Sequence, residues 1–384
     1  MTRKICVVIT ARPSYSRVKT ALKAIAEHEA LELQLVVAAS ALLDRYGNVV
    51  NEIVKDGFTI ARRVHMVLEG ESPISMAKTT GLGLMELATA FDDLKPDVVV
   101  TIADRYETIA TAIAAAYMNL PLAHIQGGEI TGSIDEKVRH AITKLADLHL
   151  VSTDLAGENV IRMGERKENV FVTGCPSIDI AKTMLVDTKL NFCPFERYGG
   201  VGAPVNLEDG YIVVLQHPVT TEHSQAREHI FETLHAVNDS GLPALWFWPN
   251  VDAGSDGTSK GIRAFREAVA PRTLHFFKNM SPMDFLLLIY NCRCLVGNSS
   301  VGIRESSFLG VPVVNIGDRQ EGRERGKNIL DVGYERSQIR SAINEQIDHG
   351  RYNSEAIYGD GEAGRNIANV LSSAPLTIKK RLSY

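Results

Sequence analysis

Short apolar segments alternate with helix-length segments along almost the whole chain, and this alternation constrains the possible folds more than any other feature. The apolar segments of the first half lack strict polar–apolar alternation, which is typical of parallel strands covered on both faces. They are residues 5–10, 33–39, 97–102, 122–125, 148–151 and 170–173. The predicted helices between them are residues 16–27, 75–94, 106–118, 136–146 and 154–163. This order of elements predicts a doubly wound α/β sheet.

The alternation pauses between residues 184 and 209, where glycine and proline are frequent, and a second series then begins. Its predicted strands are residues 211–215, 244–247, 273–276, 294–296 and 311–316, and its predicted helices are 221–239, 260–268, 282–291, 302–309 and 337–349. We therefore expect an α/β protein with two doubly wound parallel-sheet domains facing a cleft. The expected segments are a first domain at 1–184, a linker at 185–209, a second domain at 210–361, and a tail at 362–384 that packs back on the first domain.

Composition limits the class of protein further. The 384 residues are 45% hydrophobic and 23% charged with a net charge of −5, so a basic surface for nucleic acid is not expected. The five cysteines match no zinc spacing, and no G-x-G-x-x-G motif follows the first predicted strand. The apolar run near the start of the sequence is too short to span a membrane. We expect a cytoplasmic protein that requires no metal or other cofactor and binds neither nucleic acid nor membrane.

Polar and charged residues directly follow most of the predicted strands. Because ligands of open parallel sheets bind beyond the carboxyl ends of the strands, we expect these residues to line the cleft. They are Arg12, Ser16, Asp104, Arg105, Gln126 and Glu129 in the first half, and His217, Asn250, Ser299, Ser300 and Arg319 in the second. Simpler explanations exist, since Asp104 could be a helix N-cap, His217 a turn residue, and Arg319 part of a solvated loop.

Residues 297–305 have the composition of a strand–turn–helix corner that binds an anion. The first N–H groups of a helix lack intrahelical partners, and the helix dipole favours negative charge there. Ser299 and Ser300 add hydroxyl donors suited to a diphosphate, and Glu305 can accept hydrogen bonds from two ribose hydroxyls. An ordinary N-capped helix would explain the same residues. Similarly, Asp135 and Arg139 are four residues apart on a predicted helix and could form a surface ion pair.

Several longer motifs together resemble the hydrolysing UDP-N-acetylglucosamine 2-epimerases. The motifs are D-R-Y-E at 104–107, H-I-Q-G-G-E at 124–129, S-I-D at 133–135, R-H-A-I-T-K at 139–144, Q-H-P-V-T-T-E at 216–222, P-N-V-D-A-G-S at 249–255, G-N-S-S-V-G-I-R-E at 297–305 and D-R-Q-E-G-R-E at 318–324. This family includes bacterial enzymes of sialic and legionaminic acid synthesis and the epimerase half of the animal bifunctional epimerase–kinase. The resemblance implies a glycosyltransferase-B-like fold in which mainly the second domain binds UDP.

The resemblance also implies a role for individual residues. The substrate-binding set would be Arg12, Ser16, Arg105, His217, Asn250, Phe277, Lys278, Ser299, Ser300, Glu305 and Arg319, with Phe277 and Lys278 beside the uracil. The catalytic set would be Asp104, Gln126, Glu129, Asp135, Arg139 and His217. Asp104 is the first candidate for the base that removes the C2 proton, and Asp135 is the second.

Gln126 departs from the family pattern, because relatives commonly have an acid at this position. A glutamine does not exchange protons at neutral pH, so either Glu129 or another acid replaces it, or Gln126 only orients the sugar. The expected reaction converts UDP-N-acetylglucosamine or UDP-2,4-diacetamido-2,4,6-trideoxyglucose to UDP and a free sugar of the N-acetylmannosamine type, through a 2-acetamidoglycal. The alternatives are a non-hydrolysing epimerase, a glycosyltransferase and a non-catalytic nucleotide-sugar-binding protein. A homodimer or homotetramer is expected.

Overall fold

The structure, a computed structural model, describes residues 2–43, 49–68, 72–102, 105–130, 134–219, 225–249 and 255–383. The chain divides into two compact units. The first unit comprises Met1–Ile130, Ile134–Asp179 and Tyr358–Tyr384, and the second contains Ile180–Ile357. The chain therefore leaves the first unit after Asp179 and returns to it at Tyr358.

Strands and helices alternate in the first unit. The strands are β1 (Arg3–Ile9), β2 (Leu31–Ala38), β3 (Ile60–Val64), β4 (Val98–Ile102), β5 (Leu122–Ile125), β6 (Leu148–Val151) and β7 (Val170–Val172). The helices are α1 (Arg12–Glu27), α2 (Val49–Lys55), α3 (Pro73–Leu94), α4 (Thr108–Tyr117), α5 (Ile134–Leu145), α6 (Asp154–Arg162) and α7 (Pro176–Met184), which continues into the second unit. Short 3₁₀ helices lie at Ala39–Leu42 and Lys167–Asn169.

The second unit repeats this alternation. Its strands are β8 (Ile212–Leu215), β9 (Ala244–Phe247), β10 (Leu274–Phe277), β11 (Cys294–Gly297), β12 (Val313–Ile316) and β13 (Ile329–Val332). Its helices are α8 (Pro194–Tyr198), α9 (Ala226–Asp239), α10 (Ser255–Val269), α11 (Pro282–Asn291), α12 (Ser300–Ile303), α13 (Glu305–Leu309) and α14 (Arg336–His349), and α15 (Ala363–Ser373) returns to the first unit.

Both sheets are parallel and doubly wound, which confirms the predicted fold class. The strand order is β3-β2-β1-β4-β5-β6-β7 in the first sheet and β10-β9-β8-β11-β12-β13 in the second. The order reverses between β1 and β4 in one sheet and between β8 and β11 in the other. At such a switch point the helices on either side diverge and leave a crevice at the carboxyl ends of the strands, where ligands of this fold class bind.

Strand β1 shows why the central strands are apolar on both faces. Ile5, Val7 and Ile9 pack into a core formed with α1 and α15, whereas Cys6 and Val8 pack into a core formed with α3 and α4 on the other face. All five side chains are at most 2% exposed. Burying an aliphatic side chain of this kind stabilises the fold by roughly 1.5–3 kcal/mol.

Two edge strands, β3 and β13, are absent from the sequence prediction. The central residues of β3, Ala61, Arg62 and Arg63, are exposed, and Asp331 of β13 is exposed as well. An edge strand is covered less completely than a central one, so its sequence need not be apolar. The apolar-run criterion therefore finds the central strands and overlooks these two.

Helix α15 packs against α1 in the first unit. Asp179 accepts hydrogen bonds from the Ala363 and Gly364 N–H groups, over 2.9 and 2.7 Å, and from the Thr20 hydroxyl over 2.8 Å. The carboxylate therefore caps α15 and links it to α1. A Cβ atom at Gly364 would lie 2.7 Å from the Thr20 backbone, so glycine permits this close approach.

Candidate active site

The carboxyl ends of β8 and β11 meet at the switch point of the second sheet. Gly297, the last residue of β11, has φ +136°, which residues with a side chain rarely adopt. A Cβ atom at Gly297 would lie 2.2 Å from the Leu215 carbonyl oxygen at the end of β8. The Asn298 N–H donates a hydrogen bond to the same oxygen over 3.2 Å. Glycine therefore allows the turn after β11 to lie directly against the end of β8.

This turn leads into two short helices, and the prediction of one helix at 302–309 is wrong. Helix α12 begins at Ser300, and its N-cap Ser299 accepts a hydrogen bond from the Val301 N–H over 3.5 Å. Arg304 separates α12 from α13. Because α12 has only four residues, its dipole is small, and anion binding depends on the N–H groups and hydroxyls of the turn. Ser299 and Ser300 are both partly exposed, as binding of a diphosphate requires.

Glu305 is the first residue of α13. Its Oε2 atom is buried and has no hydrogen-bond partner within the described residues. An unpaired buried polar atom is costly, and a hydroxyl donor on a ligand would remove that cost. The geometry is therefore compatible with the predicted contact to a ribose.

Asn298 connects the loops that follow three adjacent strands. Its Oδ1 atom accepts the His217 N–H over 2.7 Å, and its Nδ2 atom donates to the His217 carbonyl over 2.8 Å. The Asn298 carbonyl accepts hydrogen bonds from Arg319 Nη1 over 3.1 Å and from Gln320 Nε2 over 2.9 Å. The structure thus brings the predicted residues His217, Ser299, Ser300 and Arg319 to one edge of the second sheet.

Arg325 stabilises the loop that contains Arg319. Its Nη1 atom donates to both carboxylate oxygens of Asp331, and its Nη2 atom donates to the Gln320 carbonyl. Its Nε atom donates to the Arg323 carbonyl over 3.2 Å. The loop is therefore held by specific hydrogen bonds, and the alternative of a freely solvated charged loop does not describe it.

The structure corrects the expectation for Phe277. This residue lies within β10, which extends one residue beyond the predicted strand, and its ring is fully buried against Phe195, Phe247 and His275. The ring has no exposed face for a base to contact. Lys278, the next residue, is exposed, so contact with a base at this position would come from Lys278 or from the backbone.

Helix α1 begins directly after β1 at the switch point of the first sheet. Its N-cap, Ala11, makes no side-chain capping bond, and no acidic residue lies in the first turn. Ser16 is partly buried in this helix, whereas the side chain of Arg12 lies outside the described residues. The start of α1 thus provides N–H groups without a side-chain cap at the expected edge of the sheet.

Arg105 follows β4, the other strand at this switch point. Its Nε atom donates to Glu107 Oε1 over 2.8 Å, and Glu107 is 1% exposed. The Arg105 carbonyl accepts hydrogen bonds from the N–H and the hydroxyl of Thr108. Arg105 is therefore fixed at both its backbone and its guanidinium group.

The loop after β5 contains Gln126, Gly127 and Gly128. Gln126 has φ +63°, is 2% exposed, and donates from Nε2 to Cys175 Sγ over 2.9 Å. A Cβ atom at Gly128 would lie 2.1 Å from the Ala156 carbonyl oxygen. This loop therefore needs glycine for close backbone packing. The left-handed backbone of Gln126 is unfavourable for a residue with a side chain.

Glu129 and Arg139 are brought together, both buried. The Nη1 atom of Arg139 donates to the Glu129 carbonyl over 2.9 Å. Glu129 is 7% exposed and Arg139 is 2% exposed, so a simple surface ion pair between Arg139 and Asp135 is not a sufficient explanation for this arginine. Asp104 and Asn250 lie outside the described residues, and so does the side chain of Asp135.

A buried charge cluster lies behind the Gln126 loop. Glu165 accepts hydrogen bonds from His149 Nε2 over 3.1 Å and from the ammonium groups of Lys144 and Lys380, over 2.5 and 2.6 Å. Burial alone raises the pKa of Glu165, but these three donors outweigh it and lower the pKa to about 2. Lys380 comes from the C-terminal segment, so this cluster attaches that segment to the first unit.

Two histidines occupy paired positions on β5 and β6. His124 is opposite His149 in the strand register, and the side chains of both are fully buried. Burial lowers the pKa of His124 well below its usual value, and the neighbouring His149 and Arg139 lower it further. Burial also lowers the pKa of His149, although Glu165 partly opposes this. Both imidazoles are therefore neutral at pH 7.

Sequence reasoning missed three residues that position the site: Asn298, Glu107 and Cys175. Asn298 and Glu107 each stand inside a motif that drew attention to a neighbour, so their position was visible but their role was not. Cys175 is 49 residues from Gln126 in the sequence, and no local pattern indicates that contact. Such partners become evident only from the fold.

Two kinds of feature are absent from the described part of the chain. No group of three or more His, Cys, Asp or Glu residues there could hold a metal ion. None of the helices there has both the length and the apolar character needed to cross a membrane.

Comparison with known proteins decides the family. Residues 23–372 match the family described as UDP-N-acetylglucosamine 2-epimerase. The chain belongs to the UDP-N-acetylglucosamine 2-epimerase family. The predicted resemblance is therefore confirmed, and the chain is that of an enzyme of this family.

Individual members of the family match the chain over nearly its full length. The UDP-N,N'-diacetylbacillosamine 2-epimerase (hydrolyzing) of Legionella pneumophila is 32% identical over 98% of this chain and 97% of its own. The GDP/UDP-N,N'-diacetylbacillosamine 2-epimerase (hydrolyzing) of Campylobacter jejuni is 31% identical over 86% of this chain and 84% of its own.

A solved structure supports the fold. The crystal structure of UDP-GlcNAc 2-epimerase from Neisseria meningitidis bound to UDP-GlcNAc has a TM-score of 0.80 with this chain. The match is 18% identical in sequence and covers 96% of this chain and 99% of the other. The fold is thus of the glycosyltransferase-B-like type found in these epimerases.

Proposed function

We propose that this epimerase is hydrolysing and converts a UDP-2-acetamido sugar to UDP and the free 2-epimeric sugar. The names of the relatives from L. pneumophila and C. jejuni both include hydrolysis and a diacetamido sugar. The observation that carries the proposal is the switch point between β8 and β11. There the hydroxyls of Ser299 and Ser300 are partly exposed, and Glu305 has a buried carboxylate oxygen without a partner in the described residues.

The second unit would bind the nucleotide. Its diphosphate would contact the turn at Ser299 and Ser300 together with His217 and Arg319, and the ribose hydroxyls would contact Glu305. Arg12, Ser16, Asn250 and Lys278 would complete the nucleotide contacts. N–H groups, hydroxyls and cations of this kind stabilise the negative charge that develops when a diphosphate leaves.

The first unit would bind the sugar and perform the proton transfers. Asp104, Arg105, Asp135 and Arg139 would surround the sugar ring. Loss of UDP breaks the C1–O bond, and removal of the C2 proton by a carboxylate, Asp104 or secondly Asp135, gives the 2-acetamidoglycal. Water then adds its oxygen at C1, and a proton returns to C2 on the opposite face, which inverts that carbon. This inversion requires a second proton-handling group, for which Glu129 is the buried acid of the described loop.

The direct test measures products from two substrates, UDP-N-acetylglucosamine and UDP-2,4-diacetamido-2,4,6-trideoxyglucose. We expect release of free UDP and a free 2-epimeric sugar, with deuterium at C2 when the reaction runs in deuterated water. An Asp104→Asn variant should turn over about a hundredfold more slowly and still bind UDP. Turnover to a UDP-linked epimer without free UDP would instead establish a non-hydrolysing epimerase.

The remaining alternatives give different results in the same assay. A glycosyltransferase would release UDP only when an acceptor is added. A nucleotide-sugar-binding protein would bind UDP and leave both substrates unchanged after long incubation. Substrate preference follows from the ratio of kcat/KM for the two UDP-sugars, and we expect the diacetamido sugar to be the better one because it is named in both relatives.

A further inference from the structure

Asn298 has no part in the proposed chemistry, yet its hydrogen bonds fix the groups that would contact the diphosphate. One planar amide makes two complementary bonds with the backbone of His217, which lies 81 residues away in the sequence. Two such bonds determine both the position and the orientation of the His217 backbone, and hence the origin of its side chain.

The backbone of Asn298 acts on the neighbouring loop. Its single carbonyl oxygen accepts hydrogen bonds from both Arg319 and Gln320. A carbonyl has two lone pairs, so these donors use its full capacity. The guanidinium of Arg319 is thereby held beside the turn that contains Ser299. The amide and the carbonyl of one residue thus connect the ends of β8, β11 and β12.

We propose that Asn298 is a positioning residue for the diphosphate, a role that depends on the proposed function of this site. It would act through His217 and Arg319 without touching the ligand. Asn298 is 1% exposed, so water cannot replace its bonds when the side chain is removed. Without the amide, the loop after β8 would lose its attachment to the turn after β11, and phosphate binding would suffer more than base binding.

The same unit contains a matched control in Asn328. This residue is 2% exposed, its Nδ2 atom donates to the Val311 carbonyl over 2.7 Å, and its Oδ1 atom accepts from the Ser307 hydroxyl over 3.0 Å. It directly precedes β13 and its partner Val311 precedes β12, so it lies at the amino ends of the strands. An alanine at either position removes a buried amide with two hydrogen bonds, but only Asn298 lies at the carboxyl ends.

The experiment compares Asn298→Ala and Asn328→Ala in the full chain. The measurements are the thermal midpoint, the Kd for UDP by calorimetry and the Kd for uridine by competition. We expect both variants to lose similar stability, while only Asn298→Ala raises the Kd for UDP by about tenfold or more and changes that for uridine by less than about threefold. KM for the UDP-sugar should rise in the same variant.

Three results bear on the proposal differently. Equal losses of UDP affinity in the two variants would show that Asn298 is merely structural and would overturn the inference. A parallel loss of uridine affinity in Asn298→Ala would also overturn it, because the effect would not be specific to the phosphates. If the unaltered protein bound no UDP, the proposed function itself would fail, and this result is distinct from the other two.

Discussion

The Nε2 atom of Gln126 donates a hydrogen bond to the Sγ atom of Cys175, and this contact holds a buried amide whose backbone has φ +63°. The thiol also lies 3.0 Å from the Ser177 hydroxyl. Gln126 therefore has a defined neighbour on the side away from its loop. A glutamine held in this way can orient a substrate through hydrogen bonds, but it cannot carry a proton at neutral pH.

This contact leads to a prediction for Cys175→Ala. We expect kcat to fall by about two- to tenfold, because one hydrogen bond of roughly 0.5–1.5 kcal/mol no longer orients Gln126. UDP affinity should not change. Cys6→Ala is the matched control, since Cys6 is also a buried thiol of the first unit and packs in an apolar core. An equal loss of kcat in the control would exclude a specific role for Cys175.

Glu129 should be more important for turnover than Gln126. We expect Glu129→Gln to lower kcat by about a hundredfold, because a positioned acid or base contributes at least that factor. Gln126→Ala should lower kcat by no more than about tenfold, because an orienting hydrogen bond contributes less. Steady-state kinetics with UDP binding as the control for folding distinguishes the two. The reverse order of effects would remove Glu129 from the proton-transfer step.

Gly297→Ala should disrupt the nucleotide site. The added Cβ atom would lie 2.2 Å from the Leu215 carbonyl oxygen, so the turn after β11 would have to move. We expect a loss of UDP affinity of at least about tenfold. Gly241→Ala provides the comparison, because Gly241 also has positive φ, +72°, but a Cβ atom there would meet nothing within 4 Å. That variant should lose about 1 kcal/mol of stability from backbone strain and bind UDP normally.

The attachment of the C-terminal segment through Lys380 should depend on pH. The pKa of Glu165 falls from 4.5 to about 2 on folding, so this carboxylate stabilises the fold above about pH 4.5, and the contribution is lost as the pH falls toward 2. Lys380→Met removes one donor and should lower the free energy of unfolding by about 1–2 kcal/mol at pH 7. The difference from the unaltered protein should shrink below pH 4. Lys379→Met, at an exposed position beside it, should have little effect in urea titrations.

The paired histidines should make the protein less stable in mild acid. Below about pH 6.5 the unfolded chain binds protons at His124 and His149, whereas the folded chain keeps both neutral because their pKa values are lowered. Stability should therefore fall with decreasing pH, by up to about 1.4 kcal/mol per pH unit for each histidine. A His124→Gln variant should show a shallower slope between pH 6.5 and 5 in urea titrations. An unchanged slope would contradict this account, and His349→Gln at an exposed position is the control.

The central strands could be predicted from sequence because both of their faces are buried. Leu122–Ile125 and Leu148–Val151 are fully buried and were predicted with these boundaries. The edge strands β3 and β13 could not be predicted in this way, since exposed Arg62 and Asp331 interrupt their apolar pattern.

The candidate site divides in a similar manner. Ser299, His217 and Arg319 follow predicted strands, and strand ends of a parallel sheet share one edge, so their grouping could be predicted. Phe277 was misplaced because β10 extends one residue further than the pattern suggested. The amide of Asn298 was overlooked because its partner is 81 residues away, and only the order β8-β11 places the two side by side.

The return of the chain to the first unit has a consequence for biosynthesis. The Cys175 N–H donates to the Tyr358 carbonyl over 2.8 Å, where the departing and returning segments meet, and α15 then covers α1. A ribosome completes Ile180–Ile357 before it makes α15, so the second unit can finish folding first. Until then, Leu22 and Ile25 of α1 lack the apolar cover of Ile367 and Leu371. A nascent chain that stalls before Tyr358 would therefore display sticky surface and attract chaperones.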